Sequence, residues 1–195
     1  MIRTLLHDRE TGETRRGDEG LFGEWANNPG LWIWADFADV EARRAQSLFR
    51  DTFGLHPLAI SDAQRERHPP KLEVFDDYFF LLVNGLDAST TDIDFRTIQI
   101  ALFVSDRFLL TRRKVESVSI DAVWAEAEEG QLEVSRGSVH LAYRILRRVT
   151  DRYTSLVEGL QRGLDQMEDC LLYTSPSPRD IHHNLVWPLL LEKGG

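Results

Sequence analysis

The residues of this sequence that could take part in chemistry are mostly carboxylates. Asp76 and Asp77 are adjacent, and Asp92 and Asp94 are two residues apart, which are arrangements that general acid and base catalysis uses. Both pairs lie in predicted turns beside strands, with no nucleophile or base constellation around them. The sequence contains no Walker loop, no Gly-x-Gly-x-x-Gly and no His-Glu-x-x-His. It therefore does not predict an enzyme.

Two other features could bind a metal ion. Asp62 lies in a predicted short helix, and its carboxylate offers the oxygen ligands that hard divalent cations prefer. By residue type alone, the simpler interpretation is an exposed helix carboxylate. The adjacent pair His182 and His183 could suit a transition metal, but it lies in an aperiodic tail without supporting acids. His56, which precedes Pro57, is interpreted as a helix cap or packing residue rather than a ligand.

Composition restricts the class of protein further. The formal net charge of −9 argues against a nucleic-acid binder, which needs a basic face for phosphates. A hydrophobic fraction of 42% over 195 residues is enough for a real core. Cys170 is the single cysteine, so an internal disulfide and a thiolate metal cluster are both excluded. The longest apolar runs fall far short of the about 20 residues that a membrane helix needs.

The first half of the chain reads as strands and helices in alternation. Residues 2–7 predict an edge strand, and residues 12–20 a polar turn. Residues 31–37 are apolar on both faces, which is typical of a central strand covered on both sides. Asp39 is predicted to cap a helix over 40–53, and Gly54 suits the left-handed position after that helix.

A second short helix is predicted over 56–65, and the adjacent Pro69 and Pro70 prevent its continuation. Four extended segments follow, at 71–75, 78–86, 95–104 and 107–111, the last two joined by a two-residue turn at Ser105 and Asp106. This order of elements predicts an α+β fold, a mixed β-sheet with helices packed on it.

The last part of the chain is predicted to be helical. Residues 117–129 form an acidic amphipathic helix that ends at Gly130. From about residue 138 apolar residues recur in alternating threes and fours, which is a heptad seam over about 35 residues. A helix of this length is predicted to be a stalk or an oligomer contact. The seam comprises Val139, Ala142, Leu146, Val149, Tyr153, Val157, Leu160, Leu164, Met167 and Leu171.

Three segments in a fixed order resemble the cytosolic domain of the CorA family of divalent-cation transporters. Residues 53–63 read FGLHPLAISDA, residues 70–73 read PKLE, and residues 75–80 read FDDYFF. The family reads fG-hHPLaiEDa, a basic turn, RPK-E and a Tyr/Phe-acidic-Tyr strand, with the same spacing. The Trp-rich strand at 31–37 and the long helix from about residue 138 also lie where the family has them.

The resemblance implies an α/β/α sandwich followed by a stalk helix, assembled as a homopentamer. It also implies two C-terminal membrane helices and a Gly-Met-Asn loop at the pore, none of which occurs in this sequence. Asp62 matches the aspartate that helps bind a regulatory cation between neighbouring subunits in characterised members. Ser61 stands where the family has a second acidic residue, and this departure weakens the transfer of the role.

The resulting expectation divides the chain into a cytosolic sensor domain at 1–135, the start of the stalk at 136–172, and a non-native or disordered tail at 173–195. The sensor domain is expected to bind Mg²⁺ at Asp62 and to gate a pore that this chain lacks, with Zn²⁺ and Co²⁺ left open as the ion. The expected partner is further copies of the chain, through the stalk. Full-length members are expected at the cytoplasmic side of the inner membrane, and this chain alone in the cytoplasm. The alternatives are a stand-alone interaction module without metal function and the domain of a ZntB-like zinc transporter.

Overall fold

The structure is a computed structural model that describes residues 1–65, 68–91 and 94–174, with side chains as far as residue 171. It divides into two compact units, Met1–Leu156 and Val157–Gly195. The boundary between these two units lies inside the last helix. The predicted tail at 173–195 lies almost wholly outside the described residues.

The first unit contains one mixed sheet in the order β2-β1-β3-β7-β6-β5-β4. Only β3 and β7 pair in parallel, and every other described pair is antiparallel. The strands are β1 (Ile2–Asp8), β2 (Thr14–Gly17), β3 (Leu31–Ala38), β4 (Lys71–Val74), β5 (Phe79–Leu86), β6 (Thr97–Val104) and β7 (Phe108–Arg113).

Helices cover both faces of this sheet, which confirms the predicted α/β/α sandwich. The helices are α1 (Phe22–Asn27), α2 (Ala42–Asp51), α3 (Pro57–Gln64), α4 (Val118–Glu128) and α5 (Ser138–Thr174). The first three pack on one face in a core that includes Ile33 and Phe37 of β3. Helix α4 and the start of α5 pack on the other face, around Trp32 and Trp34. Successive residues of β3 therefore enter opposite cores, as the apolar sequence on both faces predicts.

Several local predictions are confirmed. Gly54 and Gly130 adopt positive φ angles of 65° and 72° after α2 and α4. The helix predicted over 117–129 is α4, and the structure adds that the Ser117 side chain caps it by accepting a hydrogen bond from the Ile120 amide. His56 caps α3, because its Nδ1 accepts a hydrogen bond from the Leu58 amide at 3.2 Å.

Three other predictions are wrong. Strand β1 is not an edge strand, because β2 pairs with it on its outer side. Asp39 does not cap α2: its φ is 48°, and its amide donates to the Arg113 carbonyl, which leaves Glu41 at the cap position. The hairpin between β6 and β7 turns at residues 106–107 rather than 105–106, because Ser105 pairs with Phe108.

Helix α5 is confirmed, and the face it buries overlaps the predicted seam only in part. The seam residues Ala142 and Val149 are buried in the first unit, whereas the seam residue Val139 is exposed. Leu141 and Ile145, which lie outside the seam, are also buried. In the second unit the predicted seam is exposed, as seen at Val157, Leu160, Leu164, Met167 and Leu171. No helix among the described residues combines the length and apolar character needed to cross a membrane.

Candidate functional site

Asp62 lies on α3, which is held between the sheet and the loop that follows the helix. Ala59, Ile60 and Ala63 of α3 are buried in the first core, and this orientation leaves Asp62 at the flank of the helix. Its side chain is 14% exposed. Asp62 is therefore not the freely exposed helix carboxylate that its residue type alone suggests.

The nearest partner of Asp62 is Lys71, the first residue of β4. The Lys71 ammonium donates hydrogen bonds to Asp62 Oδ2 and, at 2.9 Å, to Glu73 Oε1. Lys71 and Glu73 are two residues apart on one strand, so their side chains leave the same face. The ammonium also lies 5.6 Å from the centre of the Phe80 ring, at a distance that allows a cation–π contact.

Two more basic groups approach the other carboxylate oxygen of Asp62. His68 Nε2 lies 3.6 Å from Oδ1, and an Arg65 nitrogen lies 4.0 Å from it. The Gln99 amide nitrogen donates to the Arg65 carbonyl at 2.8 Å, and the His68 amide donates to the Gln99 side-chain oxygen at 3.0 Å. Gln99 of β6 thus fixes both sides of the loop that carries these basic residues.

The charge states of Asp62 and Lys71 support each other. The hydrogen bond from Lys71 lowers the pKa of Asp62, and the charges of Lys71, His68 and Arg65 act in the same direction against desolvation. The hydrogen bonds to Asp62 and Glu73 raise the pKa of Lys71. Both groups are consequently charged at neutral pH, and they form an ion pair.

A divalent cation does not fit this arrangement within one chain. Such an ion takes several oxygen ligands, most of them anionic, whereas Asp62 is one carboxylate among three basic side chains. The described residues hold no group of three or more His, Cys, Asp or Glu that could bind a metal ion together. A cation at Asp62 would therefore need further ligands besides these described residues and would compete with Lys71.

A second charged cluster lies on the other face of the sheet, around the fully buried Asp36 of β3. Arg3 Nε and an Arg113 nitrogen each donate to Asp36 Oδ2 at 3.0 Å, and the Thr111 hydroxyl donates to Oδ1 at 2.8 Å. Both arginines also bind Asp121 of α4, at 2.5 and 2.7 Å. This cluster joins α4 to the sheet and has a structural role.

Sequence reasoning identified Asp62 but missed the residues around it. Sequence reasoning named Lys71 only as part of the PKLE segment. Lys71 and Glu73 are two residues apart in a predicted strand, and this spacing places both side chains on one face. The adjacent Arg112 and Arg113, which end the otherwise apolar β7, also indicated buried charge. The structure does not bring Ser61, Asp76 or Asp77 into the Asp62 cluster, which consists of Asp62, Arg65, His68, Lys71 and Glu73. Asp92 lies outside the described residues.

The model of the CorA-like Mg²⁺ transporter protein family matches residues 30–185, and the chain belongs to this family. The match extends beyond the point where the heptad pattern of the sequence stops. The chain is 29% identical over 138 residues to the putative metal ion transporter YfjQ of Bacillus subtilis (strain 168), covering 71% of this chain and 42% of that protein. It spans less than half the length of the curated relatives it matches.

Solved structures show the same fold. The soluble domain of CorA from Methanocaldococcus jannaschii superposes with a TM-score of 0.68 at 20% identity, over 89% of this chain and 65% of that one. The ZntB cytoplasmic domain from Vibrio parahaemolyticus gives a TM-score of 0.62 at 14% identity, over 83% and 63%. These relatives are transporter family members and not enzymes, in agreement with the sequence analysis.

Proposed function

We propose that this chain is the cytoplasmic part of a divalent-cation transporter and that it regulates the pore in response to the cation. The observation that carries the proposal is the family match over residues 30–185, on a domain with the fold of the CorA soluble domain. In this proposal the chain acts at the cytoplasmic side of the inner membrane. The membrane helices belong to a part of the transporter outside this chain.

The proposed regulatory ion is Mg²⁺, with Zn²⁺ and Co²⁺ as alternatives. Asp62 is the proposed ligand from this chain, because it occupies the position of the family motif and lies at the flank of α3. Among the described residues, Lys71, His68 and Arg65 surround Asp62, and we propose that the further carboxylates come from a second copy. The proposal therefore requires self-association as well as the ion.

Self-association is proposed to use the second unit, and a homopentamer is the proposed assembly. Its seam presents five exposed apolar side chains at helical spacing, which are Val157, Leu160, Leu164, Met167 and Leu171. An apolar stripe of this period is typical of helices that pair with other helices. Association would remove these side chains from water, at about 25 cal/mol per Å².

Sedimentation velocity, with and without about 10 mM Mg²⁺, tests the proposal, because carboxylate sites of low charge count bind cations in the millimolar range. We expect Mg²⁺ to shift the chain toward a larger species, and we expect Asp62→Asn to remove the effect of Mg²⁺. Association that is unchanged by Mg²⁺ would instead support a stand-alone interaction module. That second function is favoured by the exposed seam together with the poor fit of a cation at Asp62.

The ion itself can be tested in the same way. The fold is shared with the ZntB cytoplasmic domain as well as with the CorA soluble domain, so the fold does not discriminate between ions. A larger species formed at micromolar Zn²⁺, but not at millimolar Mg²⁺, would support the domain of a ZntB-like zinc transporter.

A further inference from the structure

A cavity of about 570 Å³ opens beside the Asp62 cluster, on the side of the loop that follows α3. Its wall is formed by this loop together with residues of β5, β6 and β7 and the segments next to them. The charged side chains among its described lining residues are Arg65, His68, Asp87, Arg96, Arg112 and Lys114. Five of these six are basic, in a protein whose net charge is −9.

Arg112 is the most unusual of these residues. It is only 5% exposed, and one of its terminal nitrogens donates to the Ala63 carbonyl at 3.0 Å. Its Nε is buried and has no hydrogen-bond partner within the described part of the chain. No described carboxylate lies within ion-pair distance of its guanidinium, and burial lowers the pKa of Arg112.

The neighbouring residue Arg113 differs from Arg112 in having carboxylate partners. Arg113 is equally buried and its Nε also lacks a hydrogen-bond partner among the described residues, yet a terminal nitrogen forms ion pairs with Asp36 and Asp121. A buried charge is costly unless it is paired, and of these two arginines only Arg113 is paired with a described carboxylate. An anion in the cavity would supply Arg112 with a counter-charge that no described carboxylate provides.

Two arginines of the wall, Arg65 and Arg96, have only distant carboxylate partners among the described residues. Arg65 lies 4.0 Å from Asp62, and Arg96 lies 3.9 Å from the exposed Asp94. Asp87, which is the one acidic residue in the described lining, already accepts hydrogen bonds from the amide and the hydroxyl of Ser89 at 2.7 and 2.6 Å. The wall near Arg65 and His68 is held in place by Gln99.

We propose that this cavity binds a small phosphate-bearing anion, with Arg112 as its buried contact and Arg65 and Arg96 as rim contacts. Guanidinium groups match the oxygens of a phosphate with paired hydrogen bonds, and three of them line this wall. The volume lies within the about 300–1,000 Å³ of small-molecule sites. The proposal does not depend on a cation at Asp62, and it goes beyond the proposed cation-dependent function.

Binding is tested by isothermal titration calorimetry with inorganic phosphate and, separately, with AMP. Both titrations contain EDTA and are held at one ionic strength with sodium chloride. EDTA removes divalent cations, so failure here and failure of the cation proposal are distinguishable. We expect saturable binding of at least one probe. Tighter binding of AMP identifies a phosphate ester as the ligand type, and equal binding identifies the free ion.

Substitutions of the cavity arginines test whether the probes bind in this cavity. We expect Arg112→Gln to raise the dissociation constant at least tenfold, and the exposed rim variants Arg65→Gln and Arg96→Gln to raise it severalfold. The rim variants keep the test valid if Arg112→Gln does not fold. Arg43→Gln, at an exposed position of α2 outside the cavity, is the matched control and should bind like the wild type. No saturable binding of either probe, or unchanged binding in all three cavity variants, would overturn the proposal.

Discussion

Lys71 of β4 and Asp62 of α3 form an ion pair that ties the edge of the sheet to the helix bearing the predicted cation ligand. The pair is mostly shielded from water, and Glu73 also accepts a hydrogen bond from the same ammonium. Any cation that binds Asp62 must therefore compete with a cation that belongs to the chain itself.

Replacement of Lys71 by methionine should destabilise the domain although it preserves the length of the side chain. The change leaves the Asp62 carboxylate with only the more distant His68 and Arg65, and a poorly compensated, largely buried charge costs about 1–3 kcal/mol. Urea denaturation measures the loss. Arg136→Met removes an exposed ion pair with Glu133 and is the control, with an expected change below about 1 kcal/mol. Equal effects of the two substitutions would contradict a special role for Lys71.

The contribution of Asp62 to stability should depend on pH in the acid range. The pKa of Asp62 is lower in the folded protein than in the unfolded chain, so ionisation of Asp62 stabilises the folded state. This stabilisation is present above about pH 4, the ordinary pKa of aspartate, and is lost as pH falls through the lower folded value.

The measurement is the difference in free energy of unfolding between the wild type and Asp62→Asn, from pH 2 to pH 7. The difference should be constant from about pH 5 to 7 and should shrink below about pH 4. Taking a difference removes the contributions of other acids, such as Glu126, whose pKa is also lowered. A difference that does not change with pH would show that Asp62 is not held as an ionised partner of Lys71.

Asp36 should be far more important for stability than an exposed carboxylate. Asp36→Ala leaves Asp121 as the only described acidic residue that Arg113 and Arg3 share, and breaking a buried ion pair from one side costs about 3–5 kcal/mol. Glu24→Ala is the matched control, because it removes the exposed pair with Arg15 and should cost at most about 1 kcal/mol. Urea denaturation of both variants measures these costs, and a loss below about 1 kcal/mol for Asp36→Ala would refute the structural role of this cluster.

The exposed seam of the second unit should control self-association. Leu164 is 61% exposed, and Leu164→Glu places a charge in the middle of the apolar stripe. Loss of one buried leucine and burial of a charge should weaken association at least tenfold, which corresponds to about 1.4 kcal/mol. Gln166→Glu adds the same charge on the far side of the helix and is the control. Sedimentation equilibrium compares the two, and equal weakening would show that the seam is not the contact.

Much of the fold followed from the sequence, because apolar periodicity and turn residues specify most elements. The apolar run at residues 31–37 and the alternation before Val104 predicted buried strands that the structure contains. Strand β2 was missed because Thr14–Gly17 has no apolar residue and is fully exposed, so only its pairing with β1 defines it. The buried face of α5 was predicted only in part for a related reason. The helix has apolar residues on adjacent stripes, and the sheet determines which one is covered.

The candidate site was predictable only in part. The motif identified Asp62, but its partners come from a loop and from β4, and no local pattern shows that these segments meet. The lack of a described carboxylate partner for Arg112 was equally unpredictable, because pairing depends on which carboxylates the fold brings near its guanidinium. Sequence patterns therefore predicted a candidate ligand, whereas its electrostatic environment required the structure.

The most direct test of the proposed function is the thermal stability of the chain as Mg²⁺ is titrated at constant ionic strength. At ten times the dissociation constant, a bound ion stabilises by about 1.4 kcal/mol, or about 3–6 °C in a domain of this size. We predict such a rise for the wild type, a larger one for Lys71→Met, which lacks the competing ammonium, and none for Asp62→Asn. No rise in the wild type, or an equal rise in Asp62→Asn, would contradict cation sensing at Asp62.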